Sequence, residues 1–268
     1  MNLQLYIKNI RKEGKRGLTI EDIVEQFQIS HGHARVSLHR LLKTGDLISP
    51  ARGFYVIVPP EHQPYGSIPA EELVPLMMQY VGAHYYVALL TAGLFYGATH
   101  QKPTRFQVIS DKRMKYPLVF GDVEIDFIYK KSLLDLPTKD FTVRTGYLKI
   151  ATPELVVLDL LNYPNHAGGL NHIATVLSEL IEPLDVSKLI TLAEDIKAEY
   201  QLQRIGYILS HIDVTDDNKA NDIINVLALY VEKNKPNYLP LASEMPKAGC
   251  SRSKKWRIIE NTEIESDL

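Results

Sequence analysis

One cysteine, Cys250, stands in 268 residues, and that scarcity excludes an internal disulfide framework. A lone thiol fits a reducing compartment, so the expected location is the cytoplasm, and beside a basic tail the thiol reads as incidental. Long apolar runs are missing too. No stretch reaches the roughly 18 residues needed to cross a membrane. The polar opening MNLQLYIKNIRKEGKR lacks the apolar centre of a signal peptide, so no membrane partner is expected. The sequence has no Gly-x-Ser-x-Gly, no His-Glu-x-x-His, no Cys-His pairing, and no phosphate-loop or dinucleotide-loop spacing. No cofactor and no enzymatic activity are therefore expected.

What is present belongs to a soluble globular chain, with 45% hydrophobic and 23% charged residues and enough length for one large domain or two ordinary ones. The net charge of −2 conceals an asymmetry. Residues 1–60 hold nine Lys/Arg against five Asp/Glu, a net +4, and residues 61–268 hold 21 against 27, a net −6. A small basic head on an acidic body points to nucleic acid as a partner of the head alone.

The head has a definite pattern. Leu3 to Arg11 reads as a first helix, broken by Gly14 and Gly17. Thr19 caps a second helix with Asp22 in the place of the usual Glu of a capping box, and Ile20, Ile23, Val24 and Phe27 form its inner stripe. Ser30 caps a third helix that runs to about Thr44, with Gly45 at its end. Asp46-Leu47-Ile48, a turn over Ser49–Gly53 and the apolar strand Phe54–Val58 complete a two-stranded wing. This is the layout of a winged helix-turn-helix over residues 1–58.

At about 100° per residue, Ala34, Leu38, Leu41 and Leu42 of the third helix share the arc that packs inward. The opposite side carries Gly32, His33, Val36, His39, Arg40 and Lys43, with Arg35 at its edge. That side is basic and holds no acid, so His33, Arg35, His39, Arg40 and Lys43 are the candidate DNA contacts, joined by Arg52 at the wing tip. A zinc site at His31, His33 and His39 lacks a nearby cysteine or an obvious fourth ligand and is not expected.

Residues 59–69, rich in proline and without periodicity, read as a linker to a body of residues 70–268. The pattern of the body predicts helices over 70–80, kinked or split by Pro75, and over 83–96, and strands over 105–110 and 119–129, the second with a turn at Phe120-Gly121-Asp122. A hairpin around Thr145-Gly146 follows, then helices near 171–181, 187–200, 201–211 and 218–232, and a last strand at Trp256–Ile259 that returns to the sheet. Strands and helices mix without a regular βαβ repeat, so the fold class is α+β: the winged helix-turn-helix followed by a larger mixed domain. Between them lies the helix opened by Thr152-Pro153-Glu154 and ended by Tyr163-Pro164 and Gly168-Gly169, with Asn171 placed to start the next. Only Asp159 is polar between 155 and 161, so most of this helix is enclosed, and Asp159 needs a partner such as Arg144 or Lys149. His166 and His172 flank the glycines, which read as a turn rather than a phosphate site. Asp122, Glu124 and Asp126, with Lys130, alternate along one strand and are the candidate metal ligands of an alternative nuclease reading. Apolar Val123, Ile125 and Phe127 between them make an ordinary half-exposed strand the simpler reading.

Several ordered motifs then resemble one family. Tyr85–Ala92, Tyr96-Gly97-Ala98-Thr99-His100-Gln101, Phe106–Lys112, Thr152-Pro153-Glu154, Leu158-Asp159-Leu160, Tyr163-Pro164, Ala167–Leu170, Arg204–Leu209, Trp256 and Asn261 are similar to the antitoxin domain of the AbiEi family of abortive-infection proteins. The resemblance implies a DNA-binding repressor and antitoxin of a type IV toxin–antitoxin pair. Its winged domain would bind inverted repeats upstream of its own operon, and its body would counter a nucleotidyltransferase toxin without a stable complex. The DNA-contact residues rest on the helical-angle argument, not on the resemblance. A plain ligand-responsive winged-helix regulator is the other alternative.

Overall fold

The structure is a computed structural model that describes residues 2–98, 103–133, 135–214 and 216–264. Thr99, His100 and Gln101 of the motif set lie outside the described residues. The chain divides into two units, Met1–Val87 with Thr104–Ile150 and Ala88–Pro103 with Ala151–Leu268.

The first unit begins with helices that form where capping side chains precede amphipathic runs. Asn2 accepts the Leu5 N–H at 3.0 Å and opens α1 (Leu3–Lys12), which buries Leu3, Ile7 and Ile10. Gly17–Thr19 forms β1, a strand where the glycine pattern predicts only a break. The missing side chain is what lets it in, because a Cβ on Gly17 would meet the Phe54 ring at 2.8 Å. The expected capping box then opens α2 (Ile20–Phe27): the Asp22 N–H donates to Thr19 Oγ1 at 3.1 Å, and the Thr19 N–H donates to Asp22 Oδ2 at 2.6 Å. Gln28 turns the chain with φ 50°, and Ser30 Oγ accepts the His33 N–H at 3.3 Å to open α3 (His31–Lys43). The hairpin of β2 (Leu47–Ala51) and β3 (Phe54–Ile57) joins β1 in a sheet of order β1-β3-β2, so the wing has three strands rather than two. Pro50 fits because β2 is an edge strand whose register shifts between Ile48 and Ala51. Ile23, Ala34, Leu38, Leu47 and Ile57 fill the centre of this winged helix-turn-helix, and a buried Ile or Leu is worth about 1.5–3 kcal/mol.

Helix α4 (Ala70–Val81) continues through Pro75 and ends at Gly82. The apolar stretch 83–96 is not one helix. Its aromatic and β-branched start forms β4 (Tyr85–Val87), because strand pairing on both sides outweighs helical propensity. The remaining strands are β5 (Phe106–Ser110), β6 (Leu118–Phe120), β7 (Val123–Tyr129), β8 (Thr138–Val143) and β9 (Gly146–Ala151). They make a six-stranded sheet of order β6-β7-β5-β4-β9-β8, with β4 antiparallel to β5 and parallel to β9. Residues 59–69 are folded onto this unit rather than extended. Pro60–Tyr65 makes a 3-10 turn, Gln63 donates to Asp46 at 3.0 Å, and Ser67 and Ile68 are buried. The Tyr65 carbonyl accepts the Asp122 N–H at 3.1 Å, an approach that Gly121 permits because its Cβ would lie 2.0 Å from that oxygen.

The second unit is mostly helical: α5 (Leu89–Phe95), α6 (Pro153–Asn162), α7 (Leu170–Leu180), α8 (Val186–Asp195), α9 (Tyr200–Leu209) and α10 (Asp217–Asn234). A small sheet of β10 (Leu239–Pro240), β11 (Arg252–Ser253) and β12 (Ile258–Ile259) follows, in the order β10-β12-β11. The strand expected to return to the large sheet therefore belongs to a sheet of its own. Nine of the ten residues of α6, Pro153 to Leu161, are buried, and α6 packs on α5, α7 and α8. Its start differs from the expected cap. Thr152 Oγ1 is buried without a hydrogen-bond partner, and the helix begins on the fixed φ of Pro153. Glu154 is turned to a neighbour, its Oε1 accepting the Asp185 N–H at 3.1 Å ahead of α8. Asp159 is fully buried. Arg144 and Lys149, the partners considered for it, pair in the first unit with Glu72 at 3.8 Å and Asp140 at 3.5 Å. Gly168 and Gly169 take φ of 77° and 89°, and Gly169, not Asn171, precedes α7.

Candidate nucleic-acid interface

Helix α3 positions five of the six candidate side chains. Its inner face, with Ala34 and Leu38 fully buried and Leu41 nearly so, is held against the winged-helix core. That leaves Gly32, His33, Arg35, Val36, His39, Arg40 and Lys43 exposed, as the angle argument predicts. Among the described residues no ion pair involves Arg35, Arg40, Lys43 or Arg52. Arg35 is close enough to Tyr55 for its charge to oppose the rise that burial imposes on the Tyr55 pKa. The acids of the head lie elsewhere, with Glu21, Asp22 and Glu25 on α2. An exposed helix bearing two guanidiniums and a terminal ammonium, with no carboxylate of its own, can enter a groove and bond both phosphates and base edges.

The sixth side chain, Arg52, is exposed at the turn between β2 and β3. The turn is held by a residue that no sequence pattern marks. Tyr80, at the end of α4, donates its hydroxyl to the Arg52 carbonyl at 3.0 Å and stacks on Phe54 with centroids 4.6 Å apart at 12°. Gly53, at φ 82°, leaves room for that hydroxyl, since a Cβ would stand 3.1 Å from it. Tyr80 was out of reach of sequence reasoning because it lies 28 residues beyond Arg52 and on a different element.

The other constellations do not assemble. Asp122 sits in the turn before β7, with its N–H on the Tyr65 carbonyl. Glu124 is engaged by Arg105 at 2.7 Å, Asp126 stands opposite Gln107 in the β5–β7 register, and Lys130 reaches the Tyr86 hydroxyl at 3.3 Å. Among the described residues no three His, Cys, Asp or Glu side chains are grouped to hold a metal, at β7 or at His31, His33 and His39. His172 packs closely on Gly168, whose Cβ would lie 3.3 Å from it, and the double glycine acts as a turn.

Residues 86–211 match the family model of the AbiEi antitoxin C-terminal domain. This stretch is thus similar to an AbiEi antitoxin C-terminal domain. The fold is also similar to the crystal structure of the RV2827C protein from Mycobacterium tuberculosis, with a TM-score of 0.62 at 14% identity over 95% of this chain and 89% of that one. At that identity the likeness is one of fold. No curated protein matches the sequence.

Several motif residues that resemble this family have structural roles that can be read directly. The chain after α10 is fastened to α9. Gly206 gives way to the buried Trp256 ring, and Gln203, also buried, donates to the carbonyls of Asn237, Trp256 and Arg257, each at 3.1 Å. Arg204 donates to the Pro240 carbonyl at 2.9 Å, and burial lowers its pKa. Asn261 both donates to the Ala242 carbonyl at 2.7 Å and accepts its N–H at 3.1 Å. In the same unit the Tyr96 hydroxyl donates to the Ala151 carbonyl at 2.8 Å, and burial, with Glu154 nearby, pushes its pKa up to about 12.

Proposed function

We propose that this AbiEi-type protein is a cytoplasmic, non-enzymatic transcriptional repressor and antitoxin of a type IV pair. Residues 1–58 are its DNA-binding domain, and residues 70–268, reached through 59–69, are its antitoxin domain. The domain binds double-stranded DNA at inverted repeats of its own promoter, and the body counters a nucleotidyltransferase toxin without forming a stable complex with it. The observation that carries the DNA half is the exposed, acid-free face of α3 with Arg52 on the adjoining wing. The family match of the body supports the antitoxin half.

In this reading α3 lies in the major groove. Arg35 or Arg40 reads a guanine through its paired N–H donors, and His33 and His39 make secondary contacts. Lys43 and Arg52 neutralise phosphates, and each such contact adds about 0.9 to the slope of log affinity against log salt. Arg40→Ala is expected to weaken operator binding by ~1–3 kcal/mol and to relax preference at one base, whereas Lys43→Ala lowers affinity on all sequences and flattens the salt dependence. Fluorescence anisotropy with the upstream repeats checks both. Wild-type affinity in an Arg35→Ala/Arg40→Ala double variant overturns the assignment. Co-expression with the adjacent toxin gene tests the antitoxin half, and failure to restore growth removes it.

A further inference from the structure

A groove of about 430 Å³ opens within the first unit, between the Gly14–Thr19 segment, Phe54, the end of α4 and the β8–β9 turn. Its size falls in the range of about 300–1,000 Å³ typical of small-molecule sites. Three cations line it, Lys15, Arg16 and Arg144. The acids beside them leave an excess of positive charge. Asp22 is held in the α2 capping box, Glu72 pairs with Arg144 at 3.8 Å and Glu13 with Lys15 at 4.0 Å, and among the described residues Arg16 has no ion pair. Phe54 and Tyr80, stacked 4.6 Å apart, form the aromatic wall. A cluster of cations beside an aromatic pair suits a ligand that has a compact anion on a flat ring.

We propose that this groove binds a nucleoside monophosphate and that its occupancy is transmitted to the wing. The three cations take the phosphate, and the exposed outer face of the Tyr80 ring, backed by the buried Phe54, takes the base. The link to the wing is Tyr80 itself, which lines the groove and also donates its hydroxyl to the Arg52 carbonyl. A base packed against Tyr80 re-aims the turn that presents Arg52, and by reciprocity operator DNA alters the affinity for the nucleotide. The regulatory half rests on the DNA-binding reading above, whereas ligand binding does not.

Calorimetric titration of the full chain, without DNA, with AMP, GMP, CMP, UMP and inorganic phosphate tests the site. At least one nucleotide is expected to bind one to one, with phosphate at least tenfold weaker. Arg16→Ala/Arg144→Ala should weaken nucleotide binding at least tenfold, as should Lys15→Glu, which alters only an exposed side chain. Absence of nucleotide binding, indifference to both variants, or phosphate binding as tightly as the best nucleotide overturns the proposal. So does a loss of operator affinity in Lys15→Glu when no nucleotide binds, since the groove is then a DNA contact. With operator present, the bound nucleotide is expected to shift anisotropy-measured affinity at least threefold in the wild type and less in Tyr80→Phe. An equal shift in Tyr80→Phe refutes the transmission route, and absence of operator binding under all conditions counts against the DNA reading while the titration stands.

Discussion

Replacing Gly206 by alanine tests whether the chain after α10 is an integral part of the second unit. The added Cβ would lie 2.0, 2.4 and 2.6 Å from three carbons of the Trp256 ring, where carbon–carbon contact optimally falls at about 3.5–4.0 Å. The ring is rigid and 1% exposed, and Gln203 holds the Trp256 carbonyl, so a small rotation cannot relieve an overlap of more than about 1 Å. Two responses are open: overpacking in place costs about 1–3 kcal/mol, and expelling the ring costs what deletion of a buried tryptophan costs, about 3–5 kcal/mol. The cheaper response sets the cost and better helical propensity of alanine returns at most ~1 kcal/mol, so the expected net loss is about 1–2 kcal/mol. Urea unfolding followed by fluorescence of the single tryptophan reads it as a lower midpoint at constant slope. The decisive control is Trp256→Ala, followed by circular dichroism. Once the ring is gone the methyl has space, and Gly206→Ala should become neutral or stabilise by up to ~1 kcal/mol. An unchanged midpoint for Gly206→Ala in the wild-type background, or an equal loss in the Trp256→Ala background, refutes the packing argument.

Tyr80→Phe keeps the stack on Phe54 and removes the bond to Arg52. A loss of about 0.5–1.5 kcal/mol in thermal unfolding is expected, with weaker operator binding in anisotropy. Gly121→Ala places a side chain at φ 55° and 2.0 Å from the Tyr65 carbonyl oxygen. It should cost at least ~1–3 kcal/mol and speed amide exchange over residues 60–66, and unaltered exchange there would discredit the docked segment. Asp185 caps α8, and the Lys188 N–H, more than that of Ser187, holds its carboxyl below the ordinary value of 3.8. Its folded pKa is thus depressed, so its contribution is present above the unfolded value and fades as pH falls through the lowered one. The stability gap between wild type and Asp185→Ala should therefore narrow on acidification below about pH 4, as chemical unfolding at several pH values would show.

Local rules made the basic head legible. Thr19 and Ser30 cap where their spacing says they should, and the buried and exposed faces of α3 follow from its angular pattern. What escaped depends on partners distant in sequence. The strand β1 exists because Gly17 admits the Phe54 ring, and β4 exists because β5 and β9 flank it. Tyr85–Val87 lies beside helix-favouring alanines and leucines, so composition alone drew it into a helix. Segment 59–69 has the composition of a linker, but its docking turns on one glycine more than fifty residues away. The anchor of the wing, Tyr80, escaped for the same reason. Carboxylate alternation on β7 was legible, whereas the capture of Glu124 by Arg105 was not.

The enclosure of α6 has a consequence for substitution. A side chain that faces solvent, as those on the outer side of α3 do, can be exchanged at little cost to the fold. Pro153 to Leu161 have no such freedom, because they are buried and α6 packs on α5, α7 and α8. Drift there requires compensating changes on α5, α7 and α8 together. A helix of this kind is held by its packing on every turn rather than by any contact at the surface.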